Sequence, residues 1–272
     1  SARSDFRAPL VFFAQLNGGQ ENPSVNTQAL GGGWFVLNDE QTALSFKLKT
    51  ANLSGAIAAA HFHNAGVGVN GAVVRAITFT DTIATGAWSS TEANQPLTAE
   101  LVAELLAGKI YVNVHTAPHP GGEIRGQVTG NEAMNFAAQI EGQQEVPPVL
   151  TNAVGFGAFT LANSGAELHY NISVTALSSA FRAAHFHNAG RGKNGAVVRD
   201  LAFTGNNAAG VWKSTDSTQA LTNDLVVELL AGQIYVNVHS ANFPGGELRG
   251  QVLANAQAIM PIAIARQTAN GN

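Results

Sequence analysis

The chain has 272 residues, is 45% hydrophobic and only 12% charged, and carries a net charge of −4 with a pI near 6.0. That length suits two domains of about 120 residues, each able to bury a core, and the composition excludes a disordered chain or a coiled coil. With no cysteine, disulfides and thiolate metal sites are excluded; no basic run offers a footprint for nucleic acid, and no run of 18 apolar residues reads as a membrane span.

In chain order, the opening segment SARSDFRAPL lacks an initiator Met and an apolar signal core. It fits a chain whose leader has been removed, so a secreted, periplasmic or cell-surface location is expected. Then comes a period-two stretch, with Leu44, Phe46 and Leu48 alternating with Ser45, Lys47 and Lys49, which predicts a strand with one buried face. The segment AHFHNAG at 60–66 and the segment AVVRAITF, approached through the turn-forming pair Asn70-Gly71, predict further strands. One helix is expected in LTAELVAELLAG. Leu97, Leu101 and Leu105 form its stripe, Thr98 its N-cap, Glu100 sits in its first turn, and Gly108 lies past its end. A strand in KIYVNVH and a Pro-Gly-Gly turn before EIRGQV complete the unit.

That unit is written twice. A shift of 124 residues aligns Gln15–Val128 with the second half without a gap, and fifteen of the twenty positions 60–79 are identical to their counterparts. The expected organisation is all-β: two tandem antiparallel Greek-key sandwich or barrel domains, 9–130 and 133–254, each with one short helix, and a tail, 255–272. With almost no linker, the domains are expected to touch. The apolar tail, with Ile259, Met260, Ile262 and Ile264, reads as a strand finishing the second domain or as an edge strand donated to a neighbouring chain, which would make a homo-oligomer.

In a strand, residues i and i+2 share a face, so His61 and His63 stand side by side about 6–7 Å apart. His115 falls opposite to the apolar face formed by Ile110, Val112 and Val114. If the two strands are neighbours, three imidazoles converge, and His185, His187 and His239 repeat the set. The two remaining histidines, His119 and His169, face Phe243 and Ser45 in the other copy, so the six are singled out as metal ligands. Neutral imidazoles suit copper or zinc, and three nitrogens leave an open coordination position. The expectation is about two ions per chain, copper with zinc as the alternative. Glu123 with Arg125, and Glu247 with Arg249, share a face of the following strand and read either as surface pairs or as groups supporting the site, the arginine steering an anion and the glutamate fixing it or an imidazole.

The motifs LNGGQENPSV and IEGQQEVPPV, AHFHNAG, and LLAGKIYVNVHTAPHPGGEIRGQV together resemble the chordin-domain (CHRD) module along nearly the whole of both units. That resemblance implies a secreted or cell-surface β-sandwich. More distantly, the order His-x-His, a strand ending in His, a Gly-Gly turn and a strand with Arg is similar to copper-zinc superoxide dismutase. The likeness implies that His61, His63 and His115 match three copper ligands and Arg125 the arginine that guides superoxide. The bridging histidine, zinc loop and disulfide have no match, so metal binding is expected ahead of turnover. The alternative function is an extracellular structural or adhesive module that self-associates through strand edges and the tail; a nucleophile elbow, a carboxylate pair or a phosphate loop of a hydrolase is not found.

Overall fold

A computed structural model of the chain describes residues 9–130 and 133–254. The first half contains β1 (Leu10–Asn17), β2 (Leu30–Leu37), β3 (Ala43–Ala51), β4 (Ile57–Asn64), β5 (Ala72–Ala76), β6 (Ile83–Ser89), helix α1 (Ala99–Leu106), β7 (Ile110–Thr116), β8 (His119–Gln127) and the short β9 (Thr129–Gly130). The second half repeats the series as β10 (Met134–Glu141), β11 (Val154–Ala162), β12 (Glu167–Thr175), β13 (Phe181–Asn188), β14 (Ala196–Asp200), β15 (Asn207–Lys213), helix α2 (Asn223–Leu230), β16 (Ile234–Ser240), β17 (Leu248–Gln251) and β18 (Leu253–Ala254).

Alternation decides which face each strand buries. In β3 the side chains of Leu44, Phe46 and Leu48 are at most 7% exposed, the pattern expected of a strand half-sunk in a core. Each half is one antiparallel nine-stranded sheet, the first ordered β5-β4-β7-β8-β1-β2-β3-β6 with β9 on β1. The sheet curls until its end strands face one another. Arg75 of β5 closes that seam by donating to the Ala87 carbonyl of β6 at 3.0 Å and pairing with Glu92 at 2.8 Å. Around the curled sheet β7 lies beside β4, next to β5 and then β6, which is a Greek-key order. β5 and β6 remain the two ends of the backbone pairing and meet across this seam through the Arg75 side chain.

Helix α1 closes one end of the barrel. Thr98 caps it by accepting from Leu101 N, and Leu97, Val102 and Leu105 are buried. The Asn70-Gly71 pair forms no two-residue hairpin. It ends the longer 65–71 loop, where a Cβ on Gly71 would lie 2.1 Å from the Asn64 carbonyl oxygen.

The halves are docked on each other, as the short linker implies. Helix α2 lies on the outer face of β2 and β3, where a Cβ on Gly32 would meet the Val227 carbonyl oxygen at 2.5 Å and Leu230 Cβ at 2.6 Å. Phe13, Val11 and Trp34 of the first half join the hydrophobic cluster of the second. Lys47 and Lys49 pair with Asp224 and Glu228 of the helix. The position equivalent to Gly32 in the second half is Phe156, which is 57% exposed. The tail 255–272, with the edge strand expected there, lies outside the described residues.

Replacing Gly32 by Phe should therefore undo the docking while leaving both barrels folded. Overpacking of this kind typically costs about 1–3 kcal/mol. Calorimetry is expected to resolve two unfolding transitions in Gly32→Phe where the parent shows one, with a larger radius of gyration by small-angle scattering.

Candidate metal centre

On β4, Ala60 and Phe62 point inward and are 2% and 0% exposed, so His61 and His63 must point outward. Antiparallel pairing with β7 sets Ala59 opposite His115, His61 opposite Asn113 and His63 opposite Tyr111. The methyl group of Ala59 leaves room for the His115 ring to lean toward His61, and their ring centres are 5.1 Å apart. The candidate donor atoms of His61, His63 and His115 all lie within 4.8 Å of one another, and those of His185, His187 and His239 do the same. The sequence-singled six thus form two groups of three.

The orientation of each ring follows from the nitrogen it spends on the backbone. His63 Nδ1 lies 2.9 Å from the Gly71 carbonyl oxygen and His115 Nδ1 lies 3.0 Å from that of Pro120. A carbonyl only accepts, so both Nδ1 atoms carry the proton and both Nε2 atoms present a lone pair. His115 Nε2 lies 3.2 Å from His61 Nδ1. Two nitrogens on one ion at about 2.0–2.1 Å each stand roughly 3 Å apart, so this spacing suits a shared ion as well as a shared proton. His63 Nε2 is buried with no hydrogen-bond partner, as is His187 Nε2 in the second half. There, His187 Nδ1 is held by the Gly195 carbonyl, His239 Nδ1 by that of Pro244, and His185 Nδ1 lies 3.1 Å from His239 Nε2.

Burial, reinforced by the charge that neighbouring imidazoles would carry, holds His61, His63, His187 and His239 below the ordinary imidazole pKa. The rings are therefore neutral, the form a metal requires, around pH 7. The second half adds a carboxylate: Asp200 lies 3.7 Å from His185 Nε2, where the first half has Ala76.

Around the imidazoles the outer face of β7 and β8 is covered rather than open to solvent. Tyr111 and Asn113 are 2% and 5% exposed. Arg125 lies over the Tyr111 ring at 3.5 Å, and Tyr111 stacks on His63 at 4.8 Å, giving a guanidinium, phenol and imidazole pile. Arg125 also donates to the Gly66 carbonyl at 2.9 Å and is 1% exposed. Arg249 repeats this on Tyr235 and His187. Neither arginine reaches the surface to steer an anion, which corrects that expectation; each bears on the site through the stacked ring.

Glu123 does not fix Arg125 or an imidazole. It accepts from Thr27, Thr116 and both Ser54 groups, tying three segments together. Burial works to raise its pKa, but those hydrogen bonds outweigh it and hold the carboxyl below its usual value. Glu247 does the same with Thr151 and both Ser178 groups, and its carboxyl too is held below its usual value. Glu21, whose counterpart 124 residues on is Glu145, sits over the Asn113 amide. Burial pushes its carboxyl up to about 7 against that hydrogen bond and the charge of Arg125, and Glu145 behaves alike.

With this geometry established, comparison with known proteins adds the family. The CHRD domain model matches residues 12–128 and again 136–252. The chain belongs to the CHRD-domain family. Each described barrel is thus one CHRD unit, with a histidine trio on its outer β4-β7 or β13-β16 surface. CHRD domains are typical of extracellular proteins, and among the described residues no helix is long and apolar enough to cross a membrane. No curated protein and no solved structure matches the chain.

The raised carboxyl at Glu21 gives a signed expectation. A folded-state pKa above the unfolded value means the ionised group weakens the fold, increasingly from pH 4.5 upward and fully above pH 7. Glu21→Gln removes that cost, so it should stabilise the metal-free protein by roughly 1–3 kcal/mol at pH 8 and by much less at pH 5. Urea unfolding at the two pH values checks it; an equal effect at both would refute the assignment.

Proposed function

We propose that this protein is an exported metal-binding protein in which each CHRD unit holds one ion through three imidazoles: His61, His63 and His115 in the first, His185, His187 and His239 in the second. The reading is carried by one observation above the rest, the buried and unpartnered Nε2 of His63 and of His187 beside two further imidazole nitrogens. Leaving a buried polar atom unsatisfied costs about 1–3 kcal/mol, and a bound ion removes that cost. An all-nitrogen set favours copper, with zinc the alternative, because affinity in such sites peaks at Cu²⁺ in the first-row series.

When bound, copper would supply one-electron chemistry, and three protein ligands leave a position for an outside molecule. The part played by the protein is to hold His63 and His115 in one tautomer and to exclude water with the Tyr111 and Arg125 layer. Superoxide chemistry is the extension that the dismutase-like motif order suggests. The buried position of Arg125 takes away the arginine guidance that this likeness implied.

Elemental analysis of protein taken from its natural source is expected to find about two copper ions per chain. Alanine at His63 and at His187 together should remove both, and alanine at either alone should remove one. Because protons compete for the same lone pairs, affinity is expected to hold near pH 7 and to fall below about pH 6. Copper content unchanged by these substitutions would end the proposal.

A further inference from the structure

The two halves differ in the loop that cradles the histidine trio, and the difference is chemical. The first reads Gly66-Val67-Gly68-Val69-Asn70 and the second Gly190-Arg191-Gly192-Lys193-Asn194. The backbone does not change: φ is 73° at Gly68 and 74° at Gly192, and the buried arginine donates to Gly66 O in one half and Gly190 O in the other. Arg191 therefore stands in the frame that holds Val67.

A second exchange removes a bond in front of it. In the first half Asn22 donates to the Gly68 carbonyl at 2.8 Å, bridging the loop to the segment after β1. Its counterpart is Val146, which has no amide to donate, so only the reverse bond from Asn194 to the Val146 carbonyl remains. A cleft of about 420 Å³ lies there, lined by Gln144, Glu145, Val146, Pro148, Arg191 and Arg249 among others.

We infer that the second half carries a binding cleft for a small oxyanion of the sulfate or phosphate class, with Arg191 as its contact. Guanidinium forks suit such anions geometrically as well as by charge. Arg191 makes no ion pair or hydrogen bond among the described residues and is exposed where it lines the cleft, so its guanidinium is free to meet an anion arriving from solvent. The carboxyl in the cleft, Glu145, resists ionisation until about pH 7 and so opposes an anion little in mild acid. Lys193 lines a different cleft, against Asp81 and Thr82 of the first half, and takes no part. The inference does not rest on the proposed metal.

Calorimetric titration of the full chain with sulfate at pH 6, after chelator treatment, tests it. One saturable sulfate per chain is expected, with affinity falling at least about tenfold in Arg191→Val, a residue the same loop already accepts in the first half. The paired change Asn22→Val with Val67→Arg should rebuild the cleft there and raise the stoichiometry to two. Absence of saturable binding in the parent, or binding unaltered in a folded Arg191→Val, would overturn the inference. A stoichiometry still at one in the paired variant would overturn its attribution to these two exchanges.

Discussion

Everything chemical in this molecule depends on where two imidazole protons are spent. His63 and His115 give their Nδ1 protons to the carbonyls of Gly71 and Pro120, which fixes each ring, leaves His115 Nε2 3.2 Å from His61 Nδ1 and leaves His63 Nε2 buried without a partner. The Gly71 carbonyl belongs to a loop and that of Pro120 to the irregular start of β8, and such segments are mobile unless held. Here they are held. Arg125 reaches the carbonyl of Gly66, at the start of the loop that ends at Gly71, and Gly71 N itself donates to the Tyr111 hydroxyl under the guanidinium. Gly122, at φ 126°, lets the turn after Pro120 press onto Asn113, where a Cβ would lie 2.5 Å from Oδ1. The loops that aim the histidines are thus fastened to the barrel by the same polar layer that flanks them.

Burying that much polarity is tolerable only because nearly all of it is paired. Glu123 shows the favourable balance: withdrawing a carboxylate from water costs several kcal/mol, and hydrogen bonds to a charged acceptor return about 1.5–3 kcal/mol each. Four donors therefore more than offset the burial, and the group stays ionised below its usual range. Glu21 shows the other side. One amide from Asn113 and a nearby guanidinium do not offset its burial, and its carboxyl holds its proton to about pH 7. The same layer contains the unsatisfied atoms, Asn113 Oδ1 and His63 Nε2. The strain on satisfaction is concentrated beside the imidazoles, where a ligand could relieve it.

The strands were legible because alternation is a local signal: Leu44, Phe46 and Leu48 need only a neighbouring apolar layer to declare their face. The helix was legible from Thr98 and Gly108. The histidine trio could be read from the duplication, since six imidazoles repeat in two halves while His119 and His169 do not. What could not be read was the covering of the outer face. Tyr111 and Asn113 alternate with apolar residues and so look solvent-facing, but they are buried by segments distant in sequence, Glu21 and the 65–71 loop. For the same reason Arg125 and Glu123 looked like a surface pair; they lie on one strand, yet Arg125 bonds Gly66, 59 residues away, and Glu123 bonds Ser54 and Thr27, 69 and 96 residues away. The identity of Glu21 with Glu145, and of Tyr111 with Tyr235, was the available signal, and only contact across the fold gives it a meaning.

Divergence between the copies follows the surfaces rather than the histidine frame. The face that receives helix α2 needs glycine at 32, because the helix backbone comes within van der Waals distance, and lysines at 47 and 49 to meet Asp224 and Glu228. The corresponding positions of the second half are Phe156, Asn171 and Ser173, which block the approach and remove both cations. Helix α1 keeps the matching acids at Glu100 and Glu104 and an exposed Leu106, so the two halves differ at the receiving sheet and not at the helix. Two units with the same imidazole geometry have in this way acquired different surroundings: one sheet is occupied by its neighbour, and the other carries an exposed aromatic ring and no cations where that neighbour would sit.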